Sequence, residues 1–159
     1  MNTPDPKRKL SAADLAGMSG LEYLQTMIAG LHPFPPMSAT LSFHLSEVSP
    51  GRATILGEPK PEYYNPGGSV HGAWAAALLD SCMGSAIHTS LGPRTWFTTV
   101  EFKINMLRPI STETGTVTGH GRLVKPGQRI AFADGELKDA EGRLLATGTT
   151  TCLIFPPAD

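Results

Sequence analysis

The chain has few cysteines, little charge and no long apolar run, and each shortage excludes a class of protein. Its two cysteines, Cys82 and Cys152, lie in apolar segments without CxxC pairing or metal-ligand spacing, so we expect buried free thiols and neither a disulfide nor a zinc site. No stretch approaches the roughly 18 apolar residues of a membrane span, and the run after Lys7-Arg-Lys9 is too polar for a signal peptide. We therefore expect a cytoplasmic protein with no membrane partner.

The shortage of charge also limits the partners. Charged residues make up 17% of the chain and the formal net charge is −1, so we expect no basic surface for nucleic acid. Any nucleotide-bearing ligand must then be held by a few local cations. His44, His88 and His120 lack the mutual spacing of metal ligands, and we expect no metal site.

With 159 residues the chain is long enough for one core but is small for a self-sufficient enzyme, so oligomerisation is expected. Residues 1–10 are polar and contain proline, which predicts a disordered segment, and residues 11–159 are expected to form a single domain. Ser19-Gly-Leu-Glu22 has the form of a capping box and predicts an N-terminal helix that ends before Pro33. Pro35-Pro36 would then be a rigid connector.

The remaining pattern predicts a long apolar helix from Gly72 to about Ser90 between two groups of strands. The clearest alternation has Val100, Phe102, Ile104 and Met106 apolar, with single polar residues between them. The other predicted strands lie near residues 41–46, 52–58, 113–124, 128–138 and 143–155. A helix that is apolar nearly all round must be covered on most sides. The economical arrangement is an α+β fold in which one antiparallel sheet curls around that helix.

Asp80 is the only charged residue between Glu62 and Arg94, and it lies within the long apolar helix. A carboxylate in such surroundings is costly unless it is hydrogen-bonded, solvated or protonated. It is either a structural carboxylate bonded to Ser81 or a neighbouring backbone group, or a functional one in a cleft.

Three segments together resemble one known family. They are Asn65-Pro-Gly-Gly-Ser-Val-His71-Gly72, then Asp80 eight positions after Gly72, then the strand from Thr99 to Pro109. Over residues 19–155 the chain resembles the hotdog-fold acyl-CoA thioesterases, and is most similar to the phenylacetate-degradation branch of the 4-hydroxybenzoyl-CoA thioesterase superfamily. The resemblance implies a hotdog fold, with an antiparallel sheet wrapped around the central helix, here with an extra N-terminal helix.

Two positions depart from the family pattern. Ala73 stands where the family often has a second glycine after His71, which would narrow the pocket only if substrate approaches that Cα closely. A related branch has Glu at the position of Asp80 and a hydroxyl residue one helical turn later. This chain has Gly84 at that second position. A hydroxyl helper would then come from elsewhere, and Thr99 is the matching candidate.

The resemblance assigns the central chemistry to two residues. Asp80 would act as a general base on water or as a nucleophile toward the thioester carbon, and Gly72 would offer its backbone N–H to the developing oxyanion. Eight residues at the helical rise separate them by about 12 Å, too far for both to meet one carbonyl. In the family, two helices run antiparallel across a dimer axis, which implies active sites shared between subunits of a homodimer or a dimer of dimers.

Supporting roles are also implied. Asn65 would donate its amide to the lytic water or the carbonyl, or would simply cap its own turn. His71 would brace the helix start, with direct acid–base work as the less favoured role. Thr99 would hold the water or the Asp80 carboxylate, and Thr98 would replace it if the strand register is shifted.

Substrate contacts are predicted from residue type and position. Coenzyme A is part of the substrate, so no separate cofactor is expected, and its phosphates could contact Arg108, Lys125 or Arg129, each of which could equally be a solvated surface charge. The residues expected to line an acyl pocket, or else to lie in the core, are Trp74, Leu78, Met83, Tyr23 and Met27.

Three functions remain open from the sequence. The first is hydrolysis of an acyl- or aryl-CoA thioester to the free acid and coenzyme A. The second is acyl-CoA binding without catalysis, since the fold alone does not exclude it, although a binder has no need for a charged Asp80. The third is dehydration of a hydroxyacyl thioester, which a single carboxylate supports less well.

Overall fold

A computed structural model describes residues 10–157, so the disordered segment predicted for residues 1–10 lies, apart from Leu10, outside the described residues. The strands follow the order that the sequence pattern predicts. The helices are α1 (Ala12–Ala16), α2 (Gly20–Ile28), α3 (Pro36–Thr40) and α4 (Gly72–His88). The strands are β1 (Phe43–Ser49), β2 (Arg52–Gly57), β3 (Trp96–Met106), β4 (Val117–Lys125), β5 (Ile130–Lys138) and β6 (Leu144–Phe155).

The six strands form one antiparallel sheet in the order β1-β2-β4-β5-β6-β3, with β1 and β3 at its edges. The sheet curls around α4, which contacts all six strands. The core lies between helix and sheet, where Leu78, Leu79 and Ile87 of α4 meet Val117 and Leu137 of the strands. The predicted α+β hotdog fold is confirmed.

A row of three glycines lets α4 lie directly on the sheet. Gly121, Gly135 and Gly148 are paired across β4, β5 and β6. A Cβ at Gly121 would lie 2.0 Å from the backbone oxygen of Cys82, and one at Gly135 would lie 2.8 Å from Cγ of Met83. No side chain fits between helix and sheet at these positions, so the row fixes how closely α4 approaches.

The N-terminal region differs from the single predicted helix. The capping box at Ser19 is present, since its side chain accepts from the Glu22 N–H and the Glu22 carboxylate accepts from the Ser19 N–H. A second capping box at Ser11 begins the separate short helix α1. The connector predicted at residues 35–36 is wrong, because Pro36 is the first residue of α3. Proline suits that position because the first N–H of a helix has no intrahelical partner.

Strand β3 contains a bulge that divides its alternation. Thr99 pairs with Cys152 and Glu101 pairs with Thr151, so Val100 is the extra residue. Thr99 and Phe102 therefore both face the inner side of the sheet, although three positions separate them. At the far end of β3, Phe102 and Met106 are on the inner side of the sheet but are 43% and 49% exposed.

Candidate active site

Asp80 lies half-buried on α4 and faces β3. Thr99 donates a hydrogen bond from Oγ1 to Oδ1 of Asp80 at 2.8 Å. The other carboxylate oxygen, Oδ2, accepts no hydrogen bond from any residue in the range 10–157. The bulge at Val100 selects Thr99 over Thr98, which is exposed. The carboxylate is thus held at one oxygen and open at the other.

A cavity of about 330 Å³ opens beside Asp80. Its walls are mostly apolar and come from α2, α3 with the segment before it, α4, β1, β2 and β3. Its lining residues include Tyr23, Leu24, Met27, Phe34, Phe43, Leu45, Ile55, Ser81, Gly84, Ser85, His88, Trp96 and Phe97, together with Asp80 and Thr99. Tyr23 and Met27 of the predicted acyl pocket are present there, and among residues 10–157 Asp80 is the one carboxylate that lines the cavity.

Three other residues predicted for the acyl pocket lie in the core. Trp74 is 2% exposed and its indole donates to the Leu41 carbonyl at 2.8 Å. Leu78 and Met83 are completely buried, and Met83 packs over the glycine row. None of the three lines the cavity beside Asp80. Their sequence pattern fits a core position and a pocket position equally, because both are apolar.

The start of α4 has an unpartnered backbone donor. His71 is the N-cap residue, and its Nδ1 accepts from the Ala73 N–H at 3.0 Å. The N–H of Gly72 makes no hydrogen bond to any residue in the described part of the chain. His71 therefore braces the helix start, and the Gly72 N–H at the positive end of the helix dipole is free to meet an acceptor.

Asn65 is engaged in its own turn. Its Oδ1 accepts from the Gly67 N–H at 2.8 Å, and its Nδ2 donates to Oγ of Ser69 at 3.1 Å. One N–H of the amide group is left over. Asn65 and Gly72 line the same cavity, of about 360 Å³, together with Met106 and Arg108.

The structure therefore separates the predicted site residues into two groups within one chain. Asp80 and Thr99 lie at one cavity, and Asn65 and Gly72 lie at another. The two groups are about 12 Å apart along the axis of α4, as the helical rise requires. One chain alone does not bring the carboxylate and the Gly72 N–H to a single carbonyl group.

One face of α4 is less deeply buried than the rest of the helix. The residues on it are small or polar, and none of them is fully buried: Ala73, Ala76, Ala77, Asp80, Ser81 and Ser85. This face contains Asp80 and begins beside Gly72. The incompletely covered apolar residues of β3, Phe102 and Met106, lie on the same side of the sheet as α4.

The three cations predicted to contact coenzyme A lie at opposite ends of the sheet. Arg108 lies near Gly72 and donates to the Leu144 carbonyl at 2.6 Å. Lys125 and Arg129 flank the turn between β4 and β5, at the end where β3 begins. One chain does not gather all three around one phosphate group.

His88 is a residue of the site that the sequence pattern did not single out. It lies in the last turn of α4, lines the cavity beside Asp80 and is 8% exposed. Its burial lowers the pKa of the imidazole to about 4, so the ring is neutral at neutral pH. Its spacing of four residues from Gly84 and eight from Asp80 was the available signal, because these positions share one helix face.

The two cysteines are free and buried, as predicted. Burial raises the pKa of the Cys82 thiol to about 12, so it is not a nucleophile at neutral pH. Within residues 10–157, no three His, Cys, Asp or Glu side chains are arranged to hold a metal ion. No helix in that range is long and apolar enough to cross a membrane.

Comparison with known proteins bears on this geometry. A family model described as the thioesterase superfamily matches residues 67–146, which contain Gly72, Asp80 and Thr99. The chain belongs to the thioesterase superfamily. A candidate esterase of Saccharolobus solfataricus is 32% identical to this chain over 94 residues, which are 59% of this chain. The chain spans 65% of the length of that relative.

Solved structures agree with the family. A phenylacetic acid degradation-related protein from Ralstonia eutropha JMP134 superposes with a TM-score of 0.75 at 28% identity, over 82% of this chain and 98% of its own. A mutant of the phenylacetic acid degradation protein PaaI from Thermus thermophilus superposes with a TM-score of 0.67 at 27% identity, over 75% and 98%. The resemblance to the phenylacetate-degradation thioesterases is confirmed.

Proposed function

We propose that this thioesterase-superfamily protein hydrolyses acyl-CoA thioesters to a carboxylic acid and free coenzyme A. The observation that carries the proposal is the Asp80 carboxylate at the edge of an apolar cavity, with Thr99 on one oxygen and the other oxygen free. A thioester whose acyl group fills the cavity would present its carbonyl carbon near that free oxygen. The apolar walls would bind the acyl group and exclude bulk water.

Asp80 would act in one of two ways. As a general base, it would take a proton from a water molecule whose oxygen attacks the carbonyl carbon. The C–S bond of the tetrahedral intermediate would then break, and the departing thiolate would take up that proton. As a nucleophile, Asp80 would itself displace the thiolate to form a mixed anhydride, which water would hydrolyse. Both routes leave the acid and the thiol.

The oxyanion would be stabilised by the Gly72 N–H of a second copy of the chain. Two observations support this part of the proposal. The Gly72 N–H has no partner in its own chain, and it lies about 12 Å from its own Asp80 along the helix. Two α4 helices packed antiparallel through their less buried faces would bring each Asp80 to the other chain's Gly72.

The same dimer would cover exposed apolar surface. The less buried face of α4 has small residues that permit close helix approach, and Phe102 and Met106 at the edge of the sheet lie beside it. Asn65 would lie near the carbonyl through its shared cavity with Gly72. Arg108 of one chain and Lys125 or Arg129 of the other would be the cations available for the coenzyme A phosphates.

The test is thiol release from a panel of aryl- and alkyl-acyl-CoA thioesters by the native protein and the Asp80→Asn variant. We expect turnover of at least one ester and a loss of about 100-fold or more in the variant, the scale of losing a general base. The matched control is Asp134→Asn, which neutralises a carboxylate on the outer face of the sheet, paired there with Arg122.

The outcomes separate the three candidate functions. Loss of thiol release in Asp80→Asn alone supports hydrolysis through Asp80. Saturable binding of acyl-CoA without thiol release from any ester contradicts the proposal and favours a binding protein. Loss of water from a hydroxyacyl-CoA, with the thioester intact, contradicts it in favour of a dehydratase.

A further inference from the structure

A buried thiol lies behind the hydrogen bond from Thr99 to Asp80. Cys152 of β6 is the residue paired with Thr99 of β3, immediately before the bulge. Its Sγ lies 3.7 Å from Oγ1 of Thr99, a distance compatible with a hydrogen bond that involves sulfur. The Cys152 side chain is completely buried and does not line the cavity beside Asp80, so it does not touch a ligand there.

The direction of the contact between Cys152 and Thr99 follows from the protons available. A threonine hydroxyl has one proton, and Thr99 donates it to Oδ1 of Asp80 at 2.8 Å. The Thr99 oxygen can therefore only accept from Cys152. Burial raises the pKa of the Cys152 thiol, and the charge of Asp80 adds to that effect, so the sulfur keeps its proton at neutral pH.

Two hydrogen bonds in series thus connect the thiol to the carboxylate. A hydroxyl group that accepts a hydrogen bond becomes a better donor, so the thiol strengthens the bond from Thr99 to Asp80. The thiol also occupies one acceptor position of the Thr99 oxygen, which restricts rotation of the hydroxyl proton toward other acceptors. Both effects keep Oδ1 of Asp80 bonded and leave Oδ2 as the free oxygen.

We propose that Cys152 is a positioning residue for hydrolysis, which holds the Thr99 hydroxyl proton on Oδ1 of Asp80 by donating its own S–H to the Thr99 oxygen. The inference rests on the proposed function, because it takes Asp80 as the reacting carboxylate. Cys152 keeps its proton throughout and exchanges none with the substrate. Without the thiol, the carboxylate is held less firmly and spends less time in the reactive orientation.

A second acceptor gives the competing arrangement a definite form. The Thr150 hydroxyl also lies within reach of the Cys152 sulfur. Thr150 donates its own proton to the Glu101 carbonyl at 3.0 Å, so its oxygen is also able to accept from the thiol. A thiol bonded to Thr150 would help to hold the strand beside the bulge and would not act on Asp80. Energetic coupling between Cys152 and Thr99 separates the two arrangements.

Cys82 supplies the matched control. It is also completely buried, but its Sγ donates to the Leu79 carbonyl at 3.3 Å within α4. In the coenzyme A release assay we expect Cys152→Ala to lower kcat about 3- to 10-fold, the scale of one neutral hydrogen bond, with KM within about twofold. Cys152→Ser keeps a donor and should retain kcat within about twofold, and Cys82→Ala should do the same.

The Thr99→Val background tests whether the effect passes through Thr99. In that background, Cys152→Ala should change kcat by less than about twofold, because the hydroxyl on which the thiol acts is gone. A thiol that only fills space or holds Thr150 would lower kcat by the same factor in both backgrounds. That result, or equal losses in folded Cys152→Ala and Cys152→Ser, would overturn the inference.

The S–H stretching band in the infrared spectrum provides a readout that does not depend on hydrolysis. In Cys82→Ala only the Cys152 thiol remains, and its band should shift when Thr99→Val removes the acceptor. Thermal unfolding first shows that each variant is folded. Absence of coenzyme A release from every ester would overturn the proposed function, and the band would still test the bond to Thr99. A band that is unchanged by Thr99→Val would overturn this inference.

Discussion

Thr99 Oγ1 donates a hydrogen bond to Asp80 Oδ1 at 2.8 Å only because β3 contains one extra residue at Val100. In a regular strand, Thr99 would share the outer face with Glu101 and point away from α4. The bulge shifts the alternation by one residue and turns Thr99 inward. The orientation of the Asp80 carboxylate thus depends on a backbone irregularity in the neighbouring strand.

Thr99→Val removes this hydrogen bond at nearly constant volume. A hydrogen bond to a charged group contributes about 1.5–3 kcal/mol to stability, so we expect the free energy of unfolding to fall by up to about that amount. We expect kcat to fall by about 10- to 100-fold, because the carboxylate loses the group that orients it. Thr98→Val on the outer face is the matched control and should leave kcat within about twofold, since it contacts no part of the site. Equal kinetics of the two variants would contradict a positioning role for Thr99.

The glycine row predicts that an alanine substitution within it destabilises the fold far more than one at a glycine outside it. Gly121→Ala would place a Cβ 2.0 Å from the Cys82 carbonyl oxygen, so helix and sheet must separate, and we expect a loss of about 3 kcal/mol in the free energy of unfolding. Gly92→Ala has no heavy atom within 4 Å of the new Cβ and serves as the control. Urea unfolding measures both, and a Gly121 variant as stable as the Gly92 variant would refute this packing.

Stability should fall at mildly acidic pH because of His88. The unfolded imidazole takes up a proton near pH 6.5, but burial lowers the pKa of the folded one to about 4. Between these values the unfolded state binds more protons, so stability decreases as pH falls from 6.5 toward 4 and does not depend on this group above 6.5. At pH 5 the loss is about 2 kcal/mol.

The measurement is urea unfolding at pH 7.5 and pH 5 for the native protein and His88→Phe. The drop in unfolding free energy between the two pH values should be smaller by about 2 kcal/mol in the variant, whatever its stability at pH 7.5. An identical drop in both proteins would mean that the imidazole titrates normally in the fold.

The sequence was most informative where periodicity and capping coincide. Gly72 was predicted as the first residue of α4, and the capping box at Ser19 was predicted and is present. The six strands lie within a few residues of their predicted bounds, because alternation and turn residues are local signals. The exceptions were α1, which was not predicted as a separate helix, and α3, where two prolines concealed a helix start.

The contacts within the site were less predictable. The bulge at Val100 leaves no mark in an alternation that reads as regular, so Thr98 and Thr99 remained alternatives until the pairing with β6 was known. The core and pocket residues also could not be separated from the sequence, since Trp74 and Met27 are both apolar, yet only Met27 lines the cavity beside Asp80. Tertiary packing decides such cases.

The most direct test of the shared site is complementation between two inactive variants. Asp80→Asn removes the carboxylate, and Gly72→Pro removes the backbone N–H. Proline suits the first helical position, and His71 already has the extended ψ of 136° that must precede it. A Cβ at this position would meet only the flexible end of Met106, at 3.3 Å.

Each variant is first assayed alone, and the two chains are then co-expressed in equal amounts with different tags that report mixing. If Asp80 of one chain works with Gly72 of the other, half of the pairs are mixed and each mixed pair has one intact site. We therefore expect about one quarter of the native thiol-release activity per chain. Activity no higher than the mean of the two variants, in a pool shown to contain mixed pairs, would contradict the shared site.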